Sequence, residues 1–362
     1  MVIAVSGHHG FTRRQMIGAG LAAVAGSLAG CGDLAVSQGA TAAGSRAALL
    51  LPLSGAQAAL GQNMGRAAGL AALGGGVAPK AYDSGDTPET AAAAARAALA
   101  DGARLLLGPL RADQTPAVLA VAGKVPVVSF SNDDTLAVQG AFVMGVTPAQ
   151  SISAAFSYAR AQGLTRIALV ARDTPLGAAS VAAARIVAAA GGISLTAALL
   201  RDPGQGGLIP ALKAGGGLPQ AVFLPDGGET LAGFARALAS ADLQLLGGVQ
   251  WGVSDVTANA DLAGAWFAAP PPDLFQPFSD RFEASFGDAP GVVAALGHDA
   301  ALLAIGLGNA RALNRKGLTR AGGFTGVLGA FRFQPDGRCL RDLAVLGVSA
   351  NRITVLGEVS GT

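Results

Sequence analysis

Short apolar runs, each closed by a polar or glycine-rich turn and followed by apolar residues at helical spacing, constrain this chain most strongly. The first run, Ala47–Leu51, is too short for a helix and is ended by Pro52, so it reads as a strand buried on both faces. Leu53-Ser54-Gly55 makes a turn, and Ala59, Leu60, Met64, Ala67 and Ala68 then recur with a helical period. The unit repeats. Lys80–Asp83 ends a second strand, and Thr87 is placed to cap a helix over 89–100 with Pro88 in its first turn. Strands follow over 103–107, 125–128 and 141–146, the last broken by Thr147-Pro148. A second series has a helix over 150–162, a strand Arg166–Ala171, a helix over 177–190, and strands over 193–199, Ala221–Leu224, 245–249 and Trp266–Ala269. Glycines at 204–207 and 215–217 read as loops. After Pro270-Pro271-Pro272 come helices over 274–286 and 292–313, an alternating Phe331-Arg332-Phe333 strand with a hairpin turn at 334–337, and strands over 343–348 and 353–356. Strand and helix in regular alternation mean doubly wound parallel sheets, and 362 residues leave room for two of them.

Charge excludes some functions. Charged residues make up only 13% of the chain, and the formal net charge of +2 comes entirely from Arg13 and Arg14. Without residues 1–30 the chain is neutral, which argues against a nucleic-acid partner. Catalytic chemistry also finds little material. His8 and His9 lie in the opening segment, which leaves His298 as the sole later histidine, on an apolar helical stretch where a core role fits best. No G-x-S-x-G elbow, P-loop or zinc-ligand spacing occurs, and Asp133-Asp134 reads as a helix start. The expectation is a binding protein, not an enzyme, with no metal and no cofactor.

The chain opens with Thr12-Arg13-Arg14-Gln15-Met16-Ile17, which resembles a twin-arginine export signal. A mildly apolar stretch then ends in Leu28-Ala29-Gly30-Cys31, which resembles the bacterial lipoprotein box. That resemblance implies a signal peptide over 1–31, cleavage before Cys31, and acylation of Cys31 as a membrane anchor. Residues 32–45, small and polar, read as a flexible tether, and Gly32 after the cysteine fits the outer membrane. With Cys31 acylated, Cys339 has no disulfide partner.

Seven segments carry a wider resemblance: LLLPLSGAQAALGQNM (49–64), LLLGPL (105–110), VPVVSFSND (125–133), ALVARDTPLG (168–177), VFLPDGGE (222–229), GAWFAAP (264–270) and FTGVLGAFRFQPDG (324–337). In this order they resemble the type I periplasmic binding proteins of the leucine/isoleucine/valine receptor group. Among these they are most similar to the penicillin-binding protein activator lipoproteins. The resemblance implies an α/β fold of two doubly wound parallel-sheet lobes joined by three crossovers around a cleft. The first lobe would hold 46–146 plus 271–320 and the second 147–268 plus 324–362, with crossovers near 145–150, 268–273 and 321–324. Two functions follow from it. One is a periplasmic lipoprotein that regulates peptidoglycan synthesis through a penicillin-binding protein. The other is the solute receptor of an ABC importer for branched-chain or other amino acids, working with its permease.

Turns at the carboxyl ends of the strands should line the cleft and meet a small polar ligand. These supply Ser54, Arg111, Ser129, Ser131 and Asn132 from the first lobe, and Thr174, Asp226, Gln250 and Trp251 from the second. In the amino-acid receptors of the group, first-lobe hydroxyls and N–H groups hold the ligand carboxylate and a second-lobe acid holds the ammonium. Ser131 and Asn132 match the first role and Asp226 the second. Gln250 stands close to where an acid is expected, and the aromatic expected near Leu176 is missing, which weakens a free α-amino acid as ligand. Each of four residues has a second reading. Trp251 either stacks on a flat group or fills the rim or core. Ser54 either touches ligand or caps its turn. Asp226 either binds ligand or makes an Asp-Gly turn, and Arg111 is either a cleft residue or a solvated loop charge.

Overall fold

The structure, a computed structural model, describes residues 46–361. The expected export segment, Cys31 and the tether lie outside the described residues. The first half is built as β1 (Ala47–Leu51), α1 (Ala58–Ala72), β2 (Lys80–Asp83), α2 (Pro88–Ala100), β3 (Leu105–Leu107), α3 (Thr115–Ala122), β4 (Val127–Ser129), α4 (Thr135–Val138) and β5 (Phe142–Val143). Its five strands lie in the order β2-β1-β3-β4-β5, all parallel. Strands β1, β3 and β4 are buried throughout, as continuous apolar runs in a parallel sheet should be. Helix α2 starts where Thr87 accepts from the Thr90 N–H in a reciprocal capping box, with Pro88 in the first turn.

The second series is α5 (Pro148–Ala161), β6 (Arg166–Ala171), α6 (Pro175–Gly191), β7 (Ser194–Leu200), α7 (Leu208–Lys213), β8 (Ala221–Leu224), α8 (Gly228–Leu238), β9 (Gln244–Gly247) and β10 (Trp266–Ala269). The chain then makes α9 (Pro272–Phe286), α10 (Gly291–Asn309), α11 (Arg315–Leu318), β11 (Phe324–Gly326), β12 (Gly329–Phe333), β13 (Cys339–Arg341), β14 (Leu343–Ser349) and β15 (Arg352–Val359). The second sheet has the order β15-β14-β10-β9-β8-β6-β7, and β14 and β15 join it antiparallel. Strands β11, β12 and β13 form a separate small antiparallel sheet.

Several boundaries differ from the sequence expectation. Thr147-Pro148 does not merely break a strand: Thr147 caps α5 and Pro148 begins it, two residues before the expected start. Strand β9 stops at Gly247, and Val249–Val253 coils into a 3₁₀ turn. Helix α10 ends at Asn309 rather than 313. Leu60 lies on the outer face of α1, 42% exposed.

The largest correction concerns 324–341, expected in the second lobe. Phe324, Leu328, Phe331, Phe333 and Cys339 are buried in one core with Leu49, Met64, Phe142, Met144 and Leu296 of the first lobe. The alternation at 331–333 turns both phenylalanines into that core, so the small sheet closes the first lobe. The chain passes to the second sheet only at Asp342, between β13 and β14. Helix α10 is long and apolar enough to cross a membrane, but most of it is buried here, packed on α1. On it, Asp299 accepts from the N–H groups of Val327 (2.7 Å) and Leu328 (3.2 Å). Arg341, 3.9 Å from the same carboxylate, donates to the Met144 carbonyl at 3.1 Å. This buried pair ties the small sheet to the first crossover. His298 is a core residue, its ring 4.9 Å from that of Phe278.

Candidate functional site at the floor of the cleft

Turns after β1, β3 and β4 lie at one edge of the first sheet, and the turn after β4 faces those after β6, β8 and β9. Close packing shapes the first set. Gly108, after β3, has φ +110°, and a Cβ there would lie 2.2 Å from the Leu50 carbonyl oxygen, so only glycine fits. Ser129 is fully buried, its hydroxyl 2.9 Å from that of Thr115 and accepting from the Ser131 N–H at 3.3 Å. Ser131 is spent likewise on the Asp133 N–H, at 3.1 Å. Ser54 donates its N–H to Asp83 at 3.2 Å. Burial alone would raise the Asp83 carboxyl. Hydrogen bonds from the Ser54 hydroxyl and from the N–H groups of Gly85, Leu53 and Ser54 outweigh it and hold the group below its ordinary range. Arg111 is clasped by Asp113, with Nε 3.0 Å from one carboxylate oxygen, so its charge is matched locally.

On the second side, Thr174 caps α6 by accepting from the Gly177 N–H at 3.2 Å. Asp226 is 7% exposed and accepts from the Arg172 N–H at 3.0 Å. Burial raises its carboxyl above the ordinary range, and that hydrogen bond offsets only part of the effect. Trp251 is not a stacking platform for a ligand. It is completely buried, its Nε1 donates to the Leu224 carbonyl at 2.9 Å, and its ring stacks on Phe267. The indole lies so close over Gly247 that a Cβ there would overlap it.

Between the lobes, beside the first crossover, lies a cavity of about 20 Å³. Of the expected residues only Asn132 and Gln250 line it. Val146, Ser151, Leu176, Ser180, Phe223 and Val249 complete most of the wall. Ser151 and Ser180, not anticipated, are lone polar residues on the buried faces of the alanine-rich helices α5 and α6, and that placement is the signal that marks them. Ser180 donates to the Leu176 carbonyl at 2.8 Å. Among the described residues lining this cavity none is charged. It has room for about one water molecule, whereas small-molecule sites run to about 300–1,000 Å³. A groove of about 550 Å³ opens next to it, lined by Asp134, Thr147, Gln150, Ile186 and Arg338 among others. Burial raises the Asp134 carboxyl there, against the lowering effects of the Thr147 hydroxyl and Arg338. Among the described residues no cluster of His, Cys, Asp and Glu could hold a metal ion.

The model of the family described as "Periplasmic binding protein" matches residues 44–352. The chain belongs to the periplasmic binding protein family. That family binds ligands in the periplasm and is not one of enzymes. Solved structures share the fold of this periplasmic binding protein. A Rhodospirillum rubrum protein named for branched-chain amino acid ABC transport is 24% identical, with TM-score 0.73, covering 86% of this chain and 100% of its own. The LpoA C-domain from Haemophilus influenzae, a regulator of PBP1A, is 19% identical, with TM-score 0.69, covering 86% and 99%. An ABC transporter solute-binding protein from R. palustris, in complex with benzoate, is 19% identical, with TM-score 0.63, covering 88% and 97%. A search of curated proteins finds no match.

Proposed function

We propose that this periplasmic binding protein is a lipoprotein of the LpoA kind. It is anchored through Cys31 to the outer membrane and regulates peptidoglycan synthesis by binding a penicillin-binding protein. The observation that supports this reading is the cleft floor: a cavity of about 20 Å³ with no charged lining, where a free amino acid would need partners for two charges. Asp226, the residue suited to an ammonium, is turned to the Arg172 N–H instead. The test is biolayer interferometry of the mature chain against the penicillin-binding proteins of the same cell. Micromolar or tighter binding to one of them, together with slower wall synthesis in a deletion strain, supports the reading. No association with any of them overturns it.

A second reading, the receptor of an ABC importer, rests on the family match and on Asn132, Ser151 and Gln250 as uncharged polar groups in the cavity wall. Hinge opening about the crossovers would enlarge the site. Such a chain takes a solute without an ammonium more readily than an amino acid. Thermal shift against a panel of amino acids and aromatic acids separates the two. A ligand at about a hundred times its dissociation constant adds about 2.7 kcal/mol of stability.

A further inference from the structure

The end of the first lobe away from the cleft carries a row of cations. Lys80 opens β2, Arg46 and Arg104 directly precede β1 and β3, and Lys124 lies just before β4. These four strands are consecutive neighbours in the sheet, so the row spans about 14 Å at the usual strand spacing. Arg46 and Arg104 are adjacent, the Arg104 N–H donating to the Arg46 carbonyl at 2.6 Å. Arg311, past the end of α10, joins them around a pocket of about 620 Å³. All five side chains are exposed. Lys80 is paired with Asp101, but Arg46, Arg104, Lys124 and Arg311 form no ion pair among the described residues. Apolar side chains stand beside them: Leu73 is 79% exposed and Val77 48%.

We propose that this end of the first lobe docks on anionic phospholipid headgroups at the membrane surface. Helix carboxyl ends also favour cations, and α1, α2, α3 and α10 all finish here. That attraction falls off within a turn, however, and none of these helices carries a basic residue in its last turn. Exposed arginines beside exposed leucine and valine instead match the two layers of a lipid interface, headgroup phosphate and the first methylenes. The rest of the chain enters at this same end, through Arg46. Only fourteen residues, 32–45, separate Arg46 from Cys31. Even fully extended they reach at most about 50 Å. With Cys31 acylated, the cationic end is therefore the point at which the domain is tethered, held within that reach of the bilayer. The docking does not depend on what the cleft binds.

The experiment is amide hydrogen exchange of the mature chain reconstituted in vesicles of phosphatidylglycerol and phosphatidylcholine, against vesicles of phosphatidylcholine alone. Peptides covering 73–77, 101–104 and 309–314 should exchange more slowly in the anionic vesicles only, and the slowing should vanish at high salt. Should the chain carry no acyl group, flotation with the same vesicles reads the docking directly. Each cation near an anionic surface strengthens binding about fivefold, so R46Q/R104Q/R311Q should weaken flotation about a hundredfold. R160Q/R185Q/K213Q removes the same charge from exposed positions of the second lobe and should leave the slowing intact. Equal exchange in both kinds of vesicle overturns the proposal, as does equal weakening by both triple variants. The same slowing produced by soluble glycerol phosphate without anionic lipid also overturns it, and would mark a small-anion pocket instead.

Discussion

The two lobes share a plan, parallel strands flanked by helices, yet treat the starting edges of their sheets in opposite ways. In the first lobe four strands begin at or just after Arg46, Lys80, Arg104 and Lys124, all exposed to solvent. In the second, Gln220 accepts from the N–H groups of Thr165 and Arg166, and Arg166 donates to the Gly216 carbonyl. Gln244 donates to the carbonyls of Leu245 and Gly264. Amides thus finish the strand ends of the second lobe locally, and the fold itself makes no demand for a cationic row. The cores differ too. The first holds a buried carboxylate, Asp299, beside Arg341, and the second is closed by Trp251 stacked on Phe267. The same architecture can be closed by charge or by aromatic packing, and the cost of a wrong residue differs accordingly.

The sharpest way to break this contrast is Asp299→Ala. It leaves two N–H groups and a buried guanidinium without their partner and should cost about 3–5 kcal/mol in urea unfolding. A loss below about 1 kcal/mol would mean that charge does not hold the first lobe together. In the second lobe, Trp251→Phe should cost about 2 kcal/mol, from a smaller ring and an orphaned Leu224 carbonyl. A ligand-stacking Trp251 would instead leave stability unmoved and weaken binding. Helix caps should not distinguish the lobes: Thr87→Ala and Thr147→Ala should each lose about 1 kcal/mol.

The smallest effect is expected at Asp226. Its carboxyl is raised in the folded chain, so its contribution to stability is complete below the ordinary carboxyl range and is lost as pH rises through the raised value. Asp226→Asn, neutral throughout, should therefore raise Tm slightly at pH 7 and converge on the parent chain in acid. A variant less stable at pH 7 would show that the ionised carboxylate is favoured by the Arg172 N–H after all.

Much of the fold was legible because buried parallel strands are unbroken apolar runs. Ala47–Leu51, Arg166–Ala171, Ala221–Leu224 and Trp266–Ala269 stand where those runs stand. Helix α8 was not anticipated, although Leu231, Phe234, Ala235 and Leu238 keep a helical period behind the glycine pair. Helix α7 was beyond reach altogether, since six residues between glycine-rich loops carry almost no period. Alternation at 331–333 signals one buried face but not which core receives it, so the lobe of that hairpin was beyond reach. At the cleft, sequence position puts a residue in the right turn without saying where its side chain spends its hydrogen bonds. Asn132 and Gln250 reach the cavity, while Ser129 and Trp251, in turns of the same kind, are consumed by their own lobes.

The small sheet that closes the first lobe also sets the order in which this chain can become a protein. The lobe that leaves the ribosome first needs residues up to Cys339 to cover its core. The second needs 343–359 for its last two strands. A chain that stops after β10 leaves the apolar face of α1 bare, since α10 has not yet arrived to cover it. Neither half can mature as an early, independent unit, and both wait on the last few dozen residues. Long-range pairings of this kind fold slowly. A growing chain therefore stays open until synthesis is almost finished, and its two cores close together at the end rather than one after the other.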